Sequence, residues 1–124
     1  AKKVIFVEKE KEALEILKKN IDKLKSKDKT KVYFNDVIDI FKKNFDMWRY
    51  DLKFDLIFCD PPFKESNLNK LLESIIKKNL LKKNGIIILH RHKSSNDQLI
   101  NYFNVIDERI YGLSKVTFAL PLLL

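Results

Sequence analysis

The sequence predicts an α/β fold: a doubly wound, mostly parallel sheet that ends in an antiparallel C-terminal hairpin. Short β-branched and aromatic runs alternate with segments of helical periodicity, and parallel strands require such helical crossovers. Only residues 111–114 separate the last two apolar runs, a connection short enough for a hairpin. A chain of 124 residues, 45% of them hydrophobic, can build one core, so we expect residues 1–124 to form a single domain.

In the first half of the chain, the pattern predicts two strands and two helices. Residues 4–7 are a short apolar run that is typical of a buried strand. Over residues 11–25 the apolar side chains recur at helical spacing, with lysines and acids on the opposite face, and this predicts an amphipathic helix. A second strand is predicted at residues 32–34 and a short helix over residues 37–45, before a polar connection at residues 46–53.

The second half predicts four strands and two further helices. In chain order these are a strand at residues 54–59, a helix over residues 68–80, a strand at residues 86–89, a helix over residues 95–103, and strands near residues 105–110 and 116–120. Gly85 opens the strand at residues 86–89. Ser95, with Gln98 three residues later, fits a capping box and therefore marks the start of the last helix.

The charge balance favours a polyanionic partner such as a nucleic acid. Lys and Arg number 25 against 17 Asp and Glu, for a formal net charge of +8, and surface lysines neutralise phosphates. A lysine-rich compositional bias without any partner explains the same count equally well.

The rest of the composition excludes several classes of protein. A single cysteine, Cys59, excludes an internal disulfide framework and a cysteine-based zinc site, so we expect a cytoplasmic protein. No apolar run approaches the ~20 residues that span a bilayer, and the charged start lacks the apolar core of a signal peptide. With only two glycines, Gly85 and Gly112, the chain cannot form a glycine-rich phosphate loop.

Three acids follow or close successive predicted strands. These are Glu8, Asp36 and Asp60, and in sheets of this class ligands bind at the carboxyl ends of the strands. A single acid at a strand end is usually just solvated. Three in succession, the last followed by two prolines and an aromatic residue, indicate a binding site.

The segment Asp60-Pro61-Pro62-Phe63 has the chemistry to hold an exocyclic amine. The two prolines fix the backbone and remove two N–H donors, so the strand must stop there. What remains is a carboxylate on Asp60 and a free carbonyl on Pro61, which can accept the two N–H groups of an amine, with Phe63 stacking on its base. The alternative interpretation is a rigid turn without catalytic function.

At these residues the sequence resembles the S-adenosylmethionine-dependent methyltransferases that act on exocyclic amino groups. More narrowly, it resembles the RsmD family, which methylates a guanine N2 in small-subunit ribosomal RNA. The stretches that carry this resemblance are residues 4–9, the following helix with Asn20, residues 54–63, and Tyr111-Gly112 before Val116-Thr117-Phe118. The resemblance implies a Rossmann-like methyltransferase fold, S-adenosylmethionine as cofactor, and ribosomal RNA or the small ribosomal subunit as partner.

The resemblance also implies roles for individual residues. Glu8 would hold the ribose hydroxyls of the cofactor, as an acid in this position does in nucleotide-binding sheets. Asp36 would accept from the adenine amino group, and the backbone N–H of Val37 would meet the adenine ring. The catalytic corner at residues 60–63 would lie where cofactor and target base meet, so Asp60 would serve both.

The family pattern begins with an earlier strand and a glycine-rich loop, neither of which this sequence contains. That strand would lie between those at residues 4–7 and 54–59, so we expect an interrupted sheet and a chain corresponding to the C-terminal two-thirds of a methyltransferase. Two other functions remain open. One is adenine-N6 methylation of DNA, which uses the same corner, and the other is a catalytically inactive nucleic-acid-binding fragment.

One more cluster, His90-Arg91-His92, ends the strand predicted at residues 86–89. A His-x-His pair can bind a metal, but no third ligand is apparent in the sequence. We therefore expect no metal site, and a structural or phosphate-contacting role for these three residues.

Overall fold

The computed structural model describes residues 1–42, 53–62, 68–97 and 99–122. The chain divides into two compact units, Ala1–Phe45 and Asp46–Leu124, each with its own hydrogen-bonded sheet. Two separate sheets are what an interrupted sheet predicts, since the break falls between the second and third strands of the chain. A single domain over residues 1–124 stays a prediction.

The first unit is built on a parallel pair of strands joined by a helix. Its elements are β1 (Val4–Glu8), α1 (Lys11–Lys23), a 3₁₀ turn (Lys27–Lys29), β2 (Thr30–Phe34) and α2 (Val37–Lys42). Strands β1 and β2 pair in register from Val4 opposite Thr30 to Glu8 opposite Phe34. Helix α1 buries Leu14 and Ile21 on one face, as its periodicity predicts.

Helix α1 ends two residues before the predicted boundary because its backbone closes in a Schellman motif. Lys25 has a left-handed φ of 52°. Its N–H donates to the Asp22 carbonyl at 3.1 Å, and the Ser26 N–H reaches back to the Ile21 carbonyl at 3.1 Å. These two bonds satisfy carbonyls that the helix end leaves without partners, and they turn the chain toward β2.

The second unit is a four-stranded mixed sheet with order β3-β4-β6-β5. Its elements are β3 (Phe54–Cys59), α3 (Leu68–Lys77), β4 (Leu81–His92), a 3₁₀ turn (Leu99–Asn101), β5 (Phe103–Tyr111) and β6 (Ser114–Pro121). Strand β4 is parallel to β3 and antiparallel to β6. The predicted hairpin is confirmed, since β5 and β6 pair antiparallel around Gly112, whose φ is +58°.

The core of the second unit lies in the apolar positions of β4 and α3 and in the hairpin. Alternate β4 residues are buried, as expected for a strand with one face in the core. Helix α3 buries Leu68, Leu72 and Ile75 at helical spacing. Phe103 and Ala119 add the hairpin to this core, each with 1% of its surface exposed.

The structure corrects two predicted elements. Strand β4 begins at Leu81 instead of Ile86, because Phe54 pairs with Leu81 and an irregularity before Leu56 accommodates the extra residues. The helix predicted over residues 95–103 is wrong: a 3₁₀ turn covers only Leu99–Asn101, and β5 already begins at Phe103. The local capping signal fails there because residues 93–97 bond to β4 and β6 instead, as described below.

Parts of three predictions lie outside the described residues. These are the end of the helix predicted over residues 37–45, most of the connection at residues 46–53, and Phe63 and Gln98. In the described part of the chain, no helix is both long and apolar enough to cross a membrane.

Candidate active site

The corner formed by Asp60, Pro61 and Pro62 lies directly after β3. Cys59, the last residue of β3, pairs with Leu89 of the parallel neighbour β4, so Asp60 follows the strand beside His90. Regular strand structure stops at Asp60, where the first proline removes the next backbone donor. The corner is thus positioned by the sheet register.

Strand β4 supplies a side chain that holds the Asp60 carboxylate. His90 Nδ1 lies 2.8 Å from Asp60 Oδ1, and His90 Nε2 lies 2.8 Å from Ser114 Oγ at the start of β6. In the described part of the chain, this is the one hydrogen bond that the Asp60 side chain makes. The three side chains form a line of hydrogen bonds across the ends of β3, β4 and β6, and Asp60 stands at its end with its side chain 56% exposed.

Strand β4 also supplies the residue that holds the backbone of the corner. Arg91 Nη1 donates to the Pro62 carbonyl at 2.9 Å, and Arg91 Nε donates to Asp97 Oδ2 at 3.1 Å. The Arg91 and Asp97 side chains are only 6% and 15% exposed, so the ion pair is largely buried. Because a guanidinium has several donors in a fixed plane, one side chain fastens the corner and the segment after β4 together.

The segment after β4 is fastened from β6 as well. Lys115 Nζ donates to the Ser95 carbonyl at 2.6 Å, and the Ser95 N–H donates to the His92 carbonyl at 3.0 Å. These contacts use the backbone groups that a helix beginning at Ser95 would need. They explain why the capping box predicted there does not form.

The arrangement presents hydrogen-bond acceptors at the corner. Asp60 Oδ2 and the Pro61 carbonyl have no hydrogen-bond partner among the described residues, whereas the Pro62 carbonyl is taken by Arg91. Prolines contribute no N–H there. A ligand that brings two donors on one atom, as an exocyclic amine does, matches this set of acceptors.

Cys59, next to the corner, is chemically inert. Its side chain is buried at the end of β3, and burial raises the pKa of the thiol to about 12. The thiol is therefore protonated at neutral pH, whereas a nucleophilic cysteine needs its thiolate form. The sequence-based interpretation of Cys59 as a core residue is confirmed.

The first unit carries two of the predicted acids at the carboxyl edge of its sheet. Glu8 ends β1 opposite Phe34, and Asp36 follows β2 two residues later. The Asn35 N–H donates to the Glu8 carbonyl at 3.1 Å, which ties the two strand ends together. Glu8 Oε1 accepts the Glu10 N–H at 3.0 Å, and this contact orients the carboxylate.

Asp36 acts as the N-cap of α2. Its Oδ1 accepts the Ile38 N–H at 2.9 Å, and its Oδ2 lies 3.9 Å from Lys9 Nζ in a half-exposed pair. As the first helical residue, Val37 has an N–H with no partner inside the helix. Two carboxylates and a backbone donor suit the hydroxyl, amino and ring nitrogen groups of a nucleoside, so the residues present fit the adenosine half of the expected cofactor.

No metal site is found in the described ranges, where no group of three or more His, Cys, Asp or Glu side chains could hold an ion. The two histidines predicted as a possible pair have separate partners. His90 contacts Asp60 and Ser114, and His92 Nδ1 lies 2.7 Å from Ser94 Oγ.

A family model described as conserved hypothetical protein 95 matches residues 1–120. The chain belongs to this family. Two proteins named ribosomal RNA small subunit methyltransferase D resemble it: the Haemophilus influenzae protein is 32% identical over 94 residues, which is 75% of this chain and 47% of that protein. The Buchnera aphidicola protein is 28% identical over 85 residues, or 67% and 43% respectively. The resemblance to the RsmD family predicted from sequence is confirmed.

A third relative, an uncharacterized methylase from Rickettsia prowazekii, is 35% identical over 63 residues, which is 51% of this chain and 27% of that protein. The chain thus spans less than half the length of the curated relatives it matches. This holds for each of the three.

Solved structures confirm the fold class of this conserved hypothetical protein 95 family member. A conserved hypothetical protein from Streptococcus pyogenes superposes with a TM-score of 0.82 at 25% identity, over 97% of this chain and 72% of that one. A candidate methylase from Haemophilus influenzae gives 0.78 at 26% identity, over 98% and 74%. An SAH-bound methyltransferase from Podospora anserina gives 0.65 at 13% identity, over 95% and 60%, and shows the fold alone. The fold is the Rossmann-like fold of S-adenosylmethionine-dependent methyltransferases.

The predicted site residues fall into two groups, and their roles stay predictions. Asp60, Pro61 and Pro62 form the corner of the second unit, Glu8, Asp36 and Val37 lie at the edge of the first sheet, and Phe63 is outside the described residues. Sequence reasoning missed the two residues that hold the corner, His90 and Arg91. Their position after an apolar strand was a usable signal, because Cys59 and Leu89 end neighbouring strands.

Proposed function

We propose that this chain belongs to an S-adenosylmethionine-dependent methyltransferase that methylates the exocyclic N2 amine of a guanine in small-subunit ribosomal RNA. The observation that carries the proposal is the corner at Asp60, Pro61 and Pro62, which offers acceptors only and is held by His90 and Arg91. The names of the relatives from Haemophilus and Buchnera support ribosomal RNA as the substrate class.

In this proposal the corner activates the amine by holding it. An exocyclic amine has two N–H groups, of which one donates to the Asp60 carboxylate and the other to the Pro61 carbonyl. Held this way, the nitrogen lone pair turns out of conjugation with the ring and toward the methyl donor. Asp60 also stabilises the positive charge that develops on the nitrogen during transfer. S-adenosylmethionine, when bound, supplies the electrophilic methyl group.

The first unit holds the nucleoside part of the cofactor in the same proposal. Glu8 accepts from the ribose hydroxyls, since it ends β1 where nucleotide-binding sheets carry such an acid. The second carboxylate oxygen of Asp36 accepts from the adenine amino group, and the Val37 N–H donates to the adenine ring. Phe63 stacks on the target base.

Exposed lysines supply the sequence-independent part of RNA binding. Lys18, Lys19 and Lys23 are exposed on α1 in the first unit, and Lys82 and Lys83 on β4 in the second. Such side chains neutralise phosphates without reading the bases, which leaves selection of the target to the shape of a folded RNA. Sequence-specific methylation of duplex DNA requires contacts to base edges in addition.

The test compares two acids on β3 and at its end. In the full-length protein, replacing Asp60→Ala removes the acceptor used in the transition state, so we expect turnover to fall by roughly 10²–10³ while cofactor affinity changes far less. Asp55→Ala is the matched control, because Asp55 lies on the same strand with its side chain 84% exposed in a surface pair with Lys82. It should leave turnover unchanged.

The substrate distinguishes the candidate functions. The enzyme is incubated with radiolabelled S-adenosylmethionine and ribosomal RNA from a strain lacking the modification, and the digested RNA should contain labelled N2-methylguanosine. Labelled N6-methyladenine from duplex DNA would replace the proposal with DNA adenine methylation. RNA binding without any methyl transfer would mean that the protein is an inactive nucleic-acid-binding domain.

A further inference from the structure

His90 links the reactive corner to the rest of the sheet through both of its ring nitrogens. Nδ1 lies 2.8 Å from Asp60 Oδ1 and Nε2 lies 2.8 Å from Ser114 Oγ, with the His90 side chain only 27% exposed. His90 sits on β4 between β3, which leads to Asp60, and β6, which begins at Ser114. Two contacts at opposite edges of the ring leave it no freedom to rotate.

The proton positions in this line follow from the chemistry of its ends. An ionised carboxylate only accepts hydrogen bonds, so Nδ1 of His90 must carry the proton that faces Asp60. In the neutral ring Nε2 then accepts, and the Ser114 hydroxyl donates to it. The donors therefore run in one direction, from Ser114 through His90 to Asp60, and end on Oδ1.

This direction matters because a carboxylate has two oxygens. With Oδ1 taken by His90, the Asp60 side chain cannot turn freely about its last torsion. Oδ2, which has no partner among the described residues, is then the oxygen presented at the corner. An exposed carboxylate without this contact would sample many orientations, and few would meet an N–H of the target amine.

We propose that His90 is a positioning residue that orients the Asp60 carboxylate for the target amine, with Ser114 fixing the Nδ1–H tautomer. The proposal rests on the proposed function for its catalytic consequence. It assigns His90 no contact with substrate and no proton transfer. Its effect on the reaction is therefore exerted entirely through Asp60.

Two conservative variants separate the two ends of the ring. His90→Asn places an amide nitrogen close to the position of Nδ1 and can still donate to Asp60, whereas His90→Gln reaches the position of Nε2 and can still bond Ser114. In the full-length protein we expect His90→Gln and His90→Ala to lower kcat by roughly 10- to 100-fold with little change in the KM for S-adenosylmethionine. His90→Asn should retain most of the wild-type kcat.

A double variant tests whether the effect passes through Asp60. If it does, Asp60→Ala combined with His90→Ala should be no slower than Asp60→Ala alone, because coupled residues are non-additive. A further loss in the double variant, or equal losses in His90→Asn and His90→Gln, would overturn the proposal. The Asn/Gln comparison also guards against misfolding, because both variants keep the size and polarity of the site.

Nuclear magnetic resonance gives a readout that does not depend on activity. Long-range ¹⁵N–¹H correlations of the histidine rings should show His90 as the Nδ1–H tautomer, and Ser114→Ala should weaken that preference. The Nε2–H tautomer would overturn the positioning role whether or not the protein is a methyltransferase. A wild-type protein that transfers no methyl group but shows the Nδ1–H tautomer would instead refute the proposed function.

Discussion

Replacing Arg91→Met should destabilise the second unit far more than an ordinary loss of a surface charge. The substitution keeps most of the apolar volume of the side chain and removes the guanidinium, which is only 6% exposed. Two contacts are lost together: the bond from Nε to Asp97 Oδ2 at 3.1 Å and the bond from Nη1 to the Pro62 carbonyl at 2.9 Å.

The magnitude follows from what is left behind. Asp97, with its side chain 15% exposed, becomes an unpaired and mostly buried carboxylate. Breaking a buried pair by removing one partner costs about 3–5 kcal/mol, and the residual exposure of Asp97 places the expected loss near the lower end of that range, at about 3 kcal/mol. A loss of this size is a large fraction of the stability of a small domain.

The assay is urea unfolding followed by circular dichroism, with a double-mutant cycle. Adding Asp97→Leu to Arg91→Met removes the stranded charge, so the double variant should be about 1–3 kcal/mol more stable than the sum of the two single effects. Lys82→Met is the control, because the exposed Lys82–Asp55 pair at 3.0 Å should contribute no more than about 1 kcal/mol. A loss below about 1 kcal/mol for Arg91→Met, with additive single effects, would refute the idea that Arg91 fastens the corner.

Two further predictions concern Cys59 and the hairpin turn. Because burial raises the pKa of the Cys59 thiol from 9.0 to about 12, the folded protein keeps the proton while the unfolded chain ionises, so this contribution to stability is complete below pH 9 and is lost as the pH rises toward 12. At pH 10 the free energy of unfolding should have fallen by about 1.4 kcal/mol relative to Cys59→Ala measured over the same pH range, and parallel profiles for the two proteins would contradict this. Gly112→Ala should destabilise the protein by about 1–2 kcal/mol, because its φ is +58° and a Cβ there would meet no atom within 4 Å, which makes the cost purely that of the backbone. Leu113→Ala, at the exposed neighbouring position, is the control in the same urea experiment, and equal effects of the two variants would argue against a special backbone at Gly112.

Sequence periodicity predicts an element well where a whole element carries one signal. The bounds of β3 agree with the predicted strand, and α1 and α3 bury the faces that their spacing indicates. Asp60 could be selected from sequence because the two prolines after it force the strand to end whatever surrounds them. The hairpin could be predicted for a similar reason, since a connection as short as Gly112–Leu113 leaves only an antiparallel return.

Local signals fail where contacts between distant residues decide the outcome. Ser95 has the sequence of a helix cap, but its carbonyl accepts from Lys115, 20 residues later, and Asp97 pairs with Arg91. The early start of β4 at Leu81 likewise depends on its pairing with Phe54. These contacts outweigh a local preference worth about 1 kcal/mol.

The sequence by itself determined the acid and the rigid corner that carries it, because covalent geometry at two consecutive prolines acts within a few residues. Only the tertiary structure decided which groups hold that corner. Asp60 meets His90 and Pro62 meets Arg91 because β3 and β4 are parallel neighbours with Cys59 opposite Leu89, and these partners lie 30 and 29 residues apart along the chain. Strand register is set by the packing of the whole sheet, and no local pattern encodes it.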